Sequence, residues 1–583
     1  MQAMKAVRTY LAALCIAALV VMISVAVYPA VPLPGGNSVV TTNVTAGDQT
    51  KGSDESALAP SSSSSVDGPV AYEPGALLVT LADDMSAEDA LAALQESPQL
   101  AGARLDHVVV DNLVKIVLPD GLAVGEATEA AIATGAVSAA QPNYRYYLQE
   151  SNADDAQASN DVVESVAAAI CLTAGSTLDL QAETPNDPYY KKQWYLDSIH
   201  APEAWDIAAA ASSSQSHPVT IAVIDAAFAS SHEDLDANVV SRYSPFSQEE
   251  TLNDSVKEDD IRHGTHAAGI IGAVANNDMG IAGVADNLCK VSLMRVTEAD
   301  GSMSTDEVVV AYDNLVKNAS KLNIRVVSMS LGTGRDTKVE KKVDTALYNA
   351  ISKARNAGIV TVVAACNKDS NYTPPFYALP ADFDNVVSVI NVGKAKNADG
   401  LKRGSQSNYN KGDQKAKNIS APGERIYSLY ESGYGYMGGT SMATPQVAAI
   451  FGLMFTAYPS LSPDEAVSLL YSTAHDLSAA KGTSVGWDAQ TGFGEADAAA
   501  ALDKTRPYLS GKTRIKKQGQ LNVKVNGTNK VASKWKWSSS DPTIARVTST
   551  GKVIGKKKGQ AIITAKKGSK KAVQVVNVVK VSK

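Results

Sequence analysis

Cysteine is nearly absent: Cys15, Cys171, Cys289 and Cys366 are the four in a chain of 583 residues. Exported domains that depend on disulfides carry far more, so this chain must rest on apolar cores, and each thiol reads as isolated and buried. Cys15 does not sit in a lipid-attachment box, because Leu14 precedes it where a small residue is expected. Acids are missing from the end of the chain. From Lys512 onward nineteen Lys and Arg face a single acid, Asp541, although the whole chain has a net charge of −8. A basic module therefore follows an acidic one, and the two have different partners. A clean A-x-A site is also lacking near the N-terminus, where Lys5 and Arg8 precede the apolar run LAALCIAALVVMISVAV. That layout over residues 1–30 is an export signal, with an uncleaved membrane anchor as the alternative. Either way the remainder is expected to be extracellular or at the cell surface, which excludes nucleic acid as a physiological partner.

A soft prior of ~100–200 residues per domain divides such a length into several pieces. Residues 31–69 are Ser-, Gly- and Thr-rich and cannot bury a core, so they read as a linker. Residues 70–149 alternate strand and helix patterns (GALLVTL, SAEDALAALQ, VVVDNLVKIVL, GEATEAAIATG), a small α+β unit. An acidic linker over 150–185 leads to residues 186–505. There the apolar strands TIAVID, VSLMRV, RVVSMSL, IVTVVAAC and NVVSVINV alternate with amphipathic helical runs. That alternation predicts an α/β fold, a parallel sheet with helices on both faces. Residues 506–583 are short alternating strands with Gly and Ser-Asp-Pro turns, an all-β sandwich.

Three stretches of the α/β region carry the residue types of acyl transfer. Asp225 ends the strand VTIAVID, His263 opens a small-residue helix in RHGTHAAGIIGA, and Ser441 starts another in MGGTSMATPQVAAIFGLM. An acid, an imidazole and a hydroxyl supply a nucleophile, its base and a carboxylate to fix the base's tautomer. Taken singly each has a bland explanation, such as a strand end or a helix N-cap. Their joint occurrence in this order does not.

HGTHAAG and GTSMATP resemble the His and Ser signatures of the subtilisin-like serine proteases, the subtilases, and VIDAAFASSHEDL resembles the Asp signature less closely. The resemblance covers roughly residues 186–500 and implies a subtilisin-like fold and a secreted or cell-surface serine endopeptidase. It implies Ser441 as nucleophile, His263 as general base then acid, and Asp225 as the carboxylate that orients the imidazole, while His266 is not the base. Asn367, ending VVAACN, falls where the family carries its oxyanion-hole asparagine, and Ser330, Leu331 and Gly332 match the segment that pairs with substrate backbone. Lys368, next to the oxyanion asparagine, would disfavour a basic side chain at the cleaved position if it rims that pocket.

VANNDMGIAGVA, SSHEDL and NDPYYKKQW resemble calcium-binding parts of the family. Asp187, Asp234 and Asn277, with the carbonyls of Ala275, Met279 and Ile281, would give a structural calcium its oxygens. The bland alternative is an ordinary surface turn.

Residues 70–149 resemble a subtilase propeptide, an intramolecular inhibitor and folding aid, so the enzyme would be made as a zymogen. The C-terminal segment, through WKWSSSDPTIARVTSTGKVIGKKKGQAIITAKKG, resembles bacterial Ig-like domains of group 2, whose Lys excess suits anionic cell-wall or host glycans. Where the family usually has a hydroxyl residue and a glycine after the aspartate, this chain has Ala226 and Ala227. The competing expectation is a catalytically impaired subtilase-fold adhesion or scaffold protein that works through its Ig-like domain.

Overall fold

Two helices and four strands make up the first module. In the computed structural model, which describes residues 72–148 and 184–579 apart from 213–216, 246–256, 298–302, 337–342, 370, 395–399, 478–485, 504–505 and 528–533, strand β1 (Tyr72–Leu81) is central. The expected signal or anchor, the Ser-rich linker, nearly all of the acidic linker, Cys15 and Cys171 lie outside the described residues. β2 (Arg104–Val110), β3 (Leu113–Val117) and β4 (Val137–Tyr144) complete an antiparallel sheet in the order β2-β3-β1-β4. The period-two pattern of β1 splits its side chains: Leu77 and Val79 pack under helices α1 (Ala87–Gln95) and α2 (Val124–Ala133), and Leu78 turns to the opposite face. Ser86 caps α1 by accepting from Asp89 N at 3.1 Å. A short strand β5 (Tyr147–Leu148) follows.

The second region is built on β6 (Val219–Asp225), β7 (Val239–Tyr243), β8 (Cys289–Arg295), β9 (Ile324–Met329), β11 (Val360–Ala364), β13 (Val387–Lys394) and β15 (Lys417–Pro422), all parallel. Only β14 (Leu401–Arg403) runs antiparallel, on β13. Along the sheet the order is β7-β8-β6-β9-β11-β13, so the first strand of the region lies between two later ones. Such a switch point opens a crevice at the strands' carboxyl ends.

Near-continuous apolar strands imply burial on both faces, and every residue of β6 is buried. Ile221 and Val223 face α3 (Ala201–Ser212), α4 (Glu258–Gly272) and α7 (Thr440–Ala457), whereas Ala222 and Ile224 face α5 (Thr305–Leu322) and α6 (Thr345–Asn356). Helix α7 is buried along its whole length, as its unbroken small and apolar sequence requires. Cys289 and Cys366 are free and buried, as expected of isolated thiols.

After β9 the chain passes Ser330 and leaves the main sheet as β10 (Leu331–Arg335), which pairs antiparallel with β12 (Tyr377–Leu379) on one side and β5 on the other. The last region is strand-rich. One sheet joins Arg514–Lys516, Lys570–Val579, Gly559–Lys567 and Lys536–Ser539, and another joins Gln520–Asn522, Lys552–Gly555 and Ala545–Val547. Trp535 is buried in its core and Trp537, partly buried, packs against it. Among the described residues no helix is long and apolar enough to cross a membrane.

Candidate active site

Asp225 is the last residue of β6, Ser330 follows β9, and Asn367 lies just beyond β11, so three of the expected site residues sit at carboxyl ends of neighbouring strands. His263 lies in the second turn of α4 and Ser441 is the second residue of α7. All five are buried.

The Asp–His half is tightly built. Asp225 Oδ1 lies 2.7 Å from His263 Nδ1, with both side chains fully buried, and the same oxygen accepts from Ala226 N at 2.8 Å. Residue 264 must be glycine: a Cβ there would stand 2.0 Å from the Ala227 carbonyl oxygen, so the Asp loop and α4 could not meet. Thr265 ties them together, accepting from Ala229 N at 2.8 Å and donating to Ile261 O at 2.7 Å. Ala227 does not take a positive φ, so the turn differs from one that demands glycine and stores no left-handed strain. The missing hydroxyl at 226 has a visible counterpart, since Asp225 Oδ2 is buried with no hydrogen-bond partner among the described residues.

The Ser half has its own bonds. The Ser441 hydroxyl donates to Ser330 O at 3.3 Å, and the Ser330 hydroxyl donates to Ser441 O at 2.9 Å. Gly439, at φ 120°, turns the chain into α7. Asn367 Oδ1 accepts from Thr440 N at 3.1 Å, which fixes the amide so that its nitrogen points the other way. Cys366, just before it, holds a left-handed φ of 75° in full burial, a conformation rare outside glycine and asparagine.

Sequence reasoning missed Asn408. Its main-chain N–H donates to Cys366 O at 2.8 Å and its side-chain amide donates to Ala365 O at 2.9 Å and Phe376 O at 3.1 Å, while its Oδ1 accepts from Phe376 N at 3.0 Å. Nothing in the letters around "QSNYN" marks that role, because the partners are forty residues away. His266 behaves as a packed residue. Its Nε2 meets the carbonyls of Ile426 (3.1 Å) and Gly435 (3.3 Å), and burial with His263 nearby lowers its pKa to about 3, so it stays neutral. Lys368 is exposed, with its backbone N–H bonded to Gln406 O.

β5 occupies the free edge of β10, with Leu148 opposite Leu331 and Tyr147 opposite Gly332. Away from these strands the expected calcium residues also gather. Asp187 Oδ2 accepts from Asn276 N (3.0 Å). Asp234 accepts from Asn277 Nδ2 (2.9 Å) and Ile281 N (3.0 Å), and Asn277 Oδ1 accepts from Met279 N (3.0 Å). The Ala275 carbonyl accepts from Asn287 Nδ2 at 2.8 Å. Burial, with Asp187 adding to it, pushes Asp234 up to about 7. Among the described residues no cluster of three or more His, Cys, Asp or Glu is arranged to hold a metal.

With this geometry in hand, the model of the "Subtilase family" matches residues 216–494 and that of the "Bacterial Ig-like domain (group 2)" matches 511–576. Thermitase of Thermoactinomyces vulgaris is 36% identical over 273 residues, 46% of this chain and 85% of thermitase. The chain belongs to the subtilase family. Subtilisin DY of Bacillus licheniformis is 34% identical over 260 residues, 44% of this subtilase and 84% of the relative. An extracellular protease of Xanthomonas campestris pv. campestris is 32% identical over 334 residues, half of this chain and 53% of that one. Fervidolysin from Fervidobacterium pennivorans, a keratinolytic enzyme, shares the fold at a TM-score of 0.59 and 18% identity, over 85% of this chain and 71% of that one. This subtilase is a serine endopeptidase with a C-terminal Ig-like domain.

Proposed function

We propose that the subtilase hydrolyses peptide bonds through an Asp225-His263-Ser441 triad and an acyl-enzyme, and that it is exported as a zymogen. The observation that carries this reading is the fully buried 2.7 Å pair between His263 Nδ1 and Asp225 Oδ1. With Nδ1 donating to the carboxylate, Nε2 is the basic nitrogen. It takes the Ser441 proton as Oγ attacks the scissile carbonyl, and returns it to the leaving amine, while Asp225 stabilises the imidazolium in between. Ser441 Oγ reaches this reactive position from its long bond to Ser330 O. The Asn367 amide and the Ser441 N–H meet the developing oxyanion, a donor worth ~10²–10³ in turnover. Ser330, Leu331 and Gly332 bind substrate as an added strand.

A serine-directed fluorophosphonate tests the reading. It should label the mature protein and not Ser441→Ala, and Ser441→Ala should fail to shorten itself; identical behaviour of the two forms would end the enzyme assignment. The second reading, an impaired scaffold protein, draws on the unpartnered Asp225 Oδ2. The same probe decides between them.

Residues 70–149 serve as the propeptide. They lay β5 along β10 where a substrate strand would go. Residues 186–505 are the peptidase domain and 506–583 the Ig-like domain. Cross-strand pairing puts Lys566 beside both Lys536 and Lys571 in the latter, a like-charge row suited to anionic glycans.

The residues at the calcium loop fit a hard cation: two buried carboxylates, Asp187 and Asp234, meet only neutral donors among the described residues, and burial together with Asp187 raises the pKa of Asp234. Asp187, Asp234 and Asn277, with the carbonyls of Ala275, Met279 and Ile281, would hold calcium, which supplies charge neutralisation and loop stability and takes no part in the reaction. Chelator should lower the melting temperature and added calcium should restore it.

A further inference from the structure

Arg335 ends β10, the strand that takes the substrate backbone, and is 7% exposed. Its Nε and Nη1 are buried with no hydrogen-bond partner among the described residues, the Tyr144 hydroxyl is its polar side-chain neighbour there, and no ion pair to a described residue accounts for the charge. Buried guanidinium groups are almost always paired, because an unmatched charge out of water is costly. What covers it belongs to the N-terminal module: the guanidinium carbon stands 5.8 Å from the centroid of the Tyr144 ring. Asp344, which also acts on Tyr144, is committed elsewhere, accepting from Tyr146, Gln141, Thr305 and Leu347.

Register says which substrate residue would replace Tyr144. The β5–β10 pairing ends at Gly332–Tyr147; continued at the same antiparallel register, the three steps to Arg335 lead back to Tyr144, whose ring does lie beside Arg335. Ser330 is bonded to Ser441, so the substrate residue opposite Ser330 carries the scissile carbonyl. Arg335 then faces the residue five positions upstream of it.

We propose that Arg335 is a specificity-determining residue for that distal position, a subsite for a side-chain carboxylate that opens when the N-terminal module leaves. The inference rests on the endopeptidase reading above. A buried guanidinium with unused N–H donors at a strand end selects an anion once uncovered, and Asp or Glu is the anion a peptide offers.

The test uses mature enzyme and two peptides that differ only by Glu or Gln five residues upstream of the residue donating the scissile carbonyl. The Glu peptide should have about tenfold higher kcat/KM, mostly through KM. Arg335→Gln should bring that ratio to one and Arg335→Lys should keep part of it. A variant that is merely damaged loses rate on both peptides and keeps the ratio. A ratio of one in the unaltered enzyme, or a ratio that survives in Arg335→Gln, overturns the proposal. If neither peptide is cut by any form, it is the endopeptidase reading that fails.

Discussion

The two appended modules differ in how much charge they bury against the peptidase region. The N-terminal module meets the starts of α5 and α6 through buried charges and amides set among apolar contacts: Leu78, Val109 and Leu113 pack on Val309, and Tyr144 and Tyr146 enter the core that α5 and α6 cover. Asp344, fully buried, accepts from Gln141 Nε2 (2.9 Å), Tyr146 Oη (2.5 Å), Thr305 Oγ1 (2.7 Å) and Leu347 N (3.0 Å). Asp306 meets Lys115 at 3.2 Å and Asn143 at 2.8 Å. The Ig-like module sends Ile562 and Val573 into the other peptidase core and adds the more exposed ion pair Arg514–Asp384 at 3.3 Å. Ser468 of α8 (Pro463–Thr473) stitches that seam, accepting from Leu509 N and donating to Val573 O, both at 2.7 Å. Both modules share apolar packing with the peptidase region; what sets the N-terminal interface apart is that Asp344, Asp306 and Lys115 are buried in it. That interface is the one a change of charge can loosen.

The sharpest way to break the contrast is Asp344→Ala. It strands three side-chain donors and removes the cap of α6, so the N-terminal module should open about 100-fold more often. Limited proteolysis of the full chain in a Ser441→Ala background reads this, with cleavage within residues 72–148 accelerated and the Ig-like module untouched. Equal release of both modules would show that they are not held differently.

Acid should separate them next. Burial works against ionisation of Asp306, yet Lys115 and its hydrogen bonds overcome this and hold it below the usual carboxylate range. An acid depressed in the folded state adds stability that is complete above its unfolded pKa of ~3.9 and is lost as pH falls through the folded value. The N-terminal module should therefore loosen below about pH 4. The Ig-like module, seated through Ile562 and Val573, should follow it less over that step. Val573→Ala probes the other side, and should cost about 1–2 kcal/mol of thermal stability with little effect on hydrolysis. A large loss of activity there would tie the Ig-like module to the cleft.

The strand ends, the two glycine-flanked helix starts and the apolar sheet were legible in the sequence because each is a local pattern: β-branched runs, a 3.6-residue period, and motifs within a dozen letters. Trp535 fell in the core expected for it, with Trp537 packed against it. Illegible were features whose partners lie far along the chain. Asn408 braces the oxyanion strand, Asp344 gathers donors from two hundred residues away, and Cys366 takes a positive φ that its neighbours in sequence do not announce. Strands β7 and β15 were also unmarked. β7 is only partly buried, so its pattern resembles a loop, and β15 reads KNISAP, which carries little of a strand's usual composition.

The smallest effect is expected where neither module reaches. Asp225 takes its hydrogen bonds from His263 and from its neighbour's backbone, all on Oδ1, and leaves Oδ2 without a donor. A threonine at 226 could supply that donor, and a glycine at 227 would let the following turn adjust to the added bulk beside a fully buried position. A second hydrogen bond fixes the orientation of the carboxylate and through it the tautomer of the imidazole. Ala226→Thr with Ala227→Gly should thus leave kcat/KM equal or raise it by no more than about tenfold, the size of one charge-assisted hydrogen bond. A drop of tenfold or more would mean that the pocket around Ala226 is packed for a methyl group, and that this subtilase orients its histidine with one carboxylate oxygen alone.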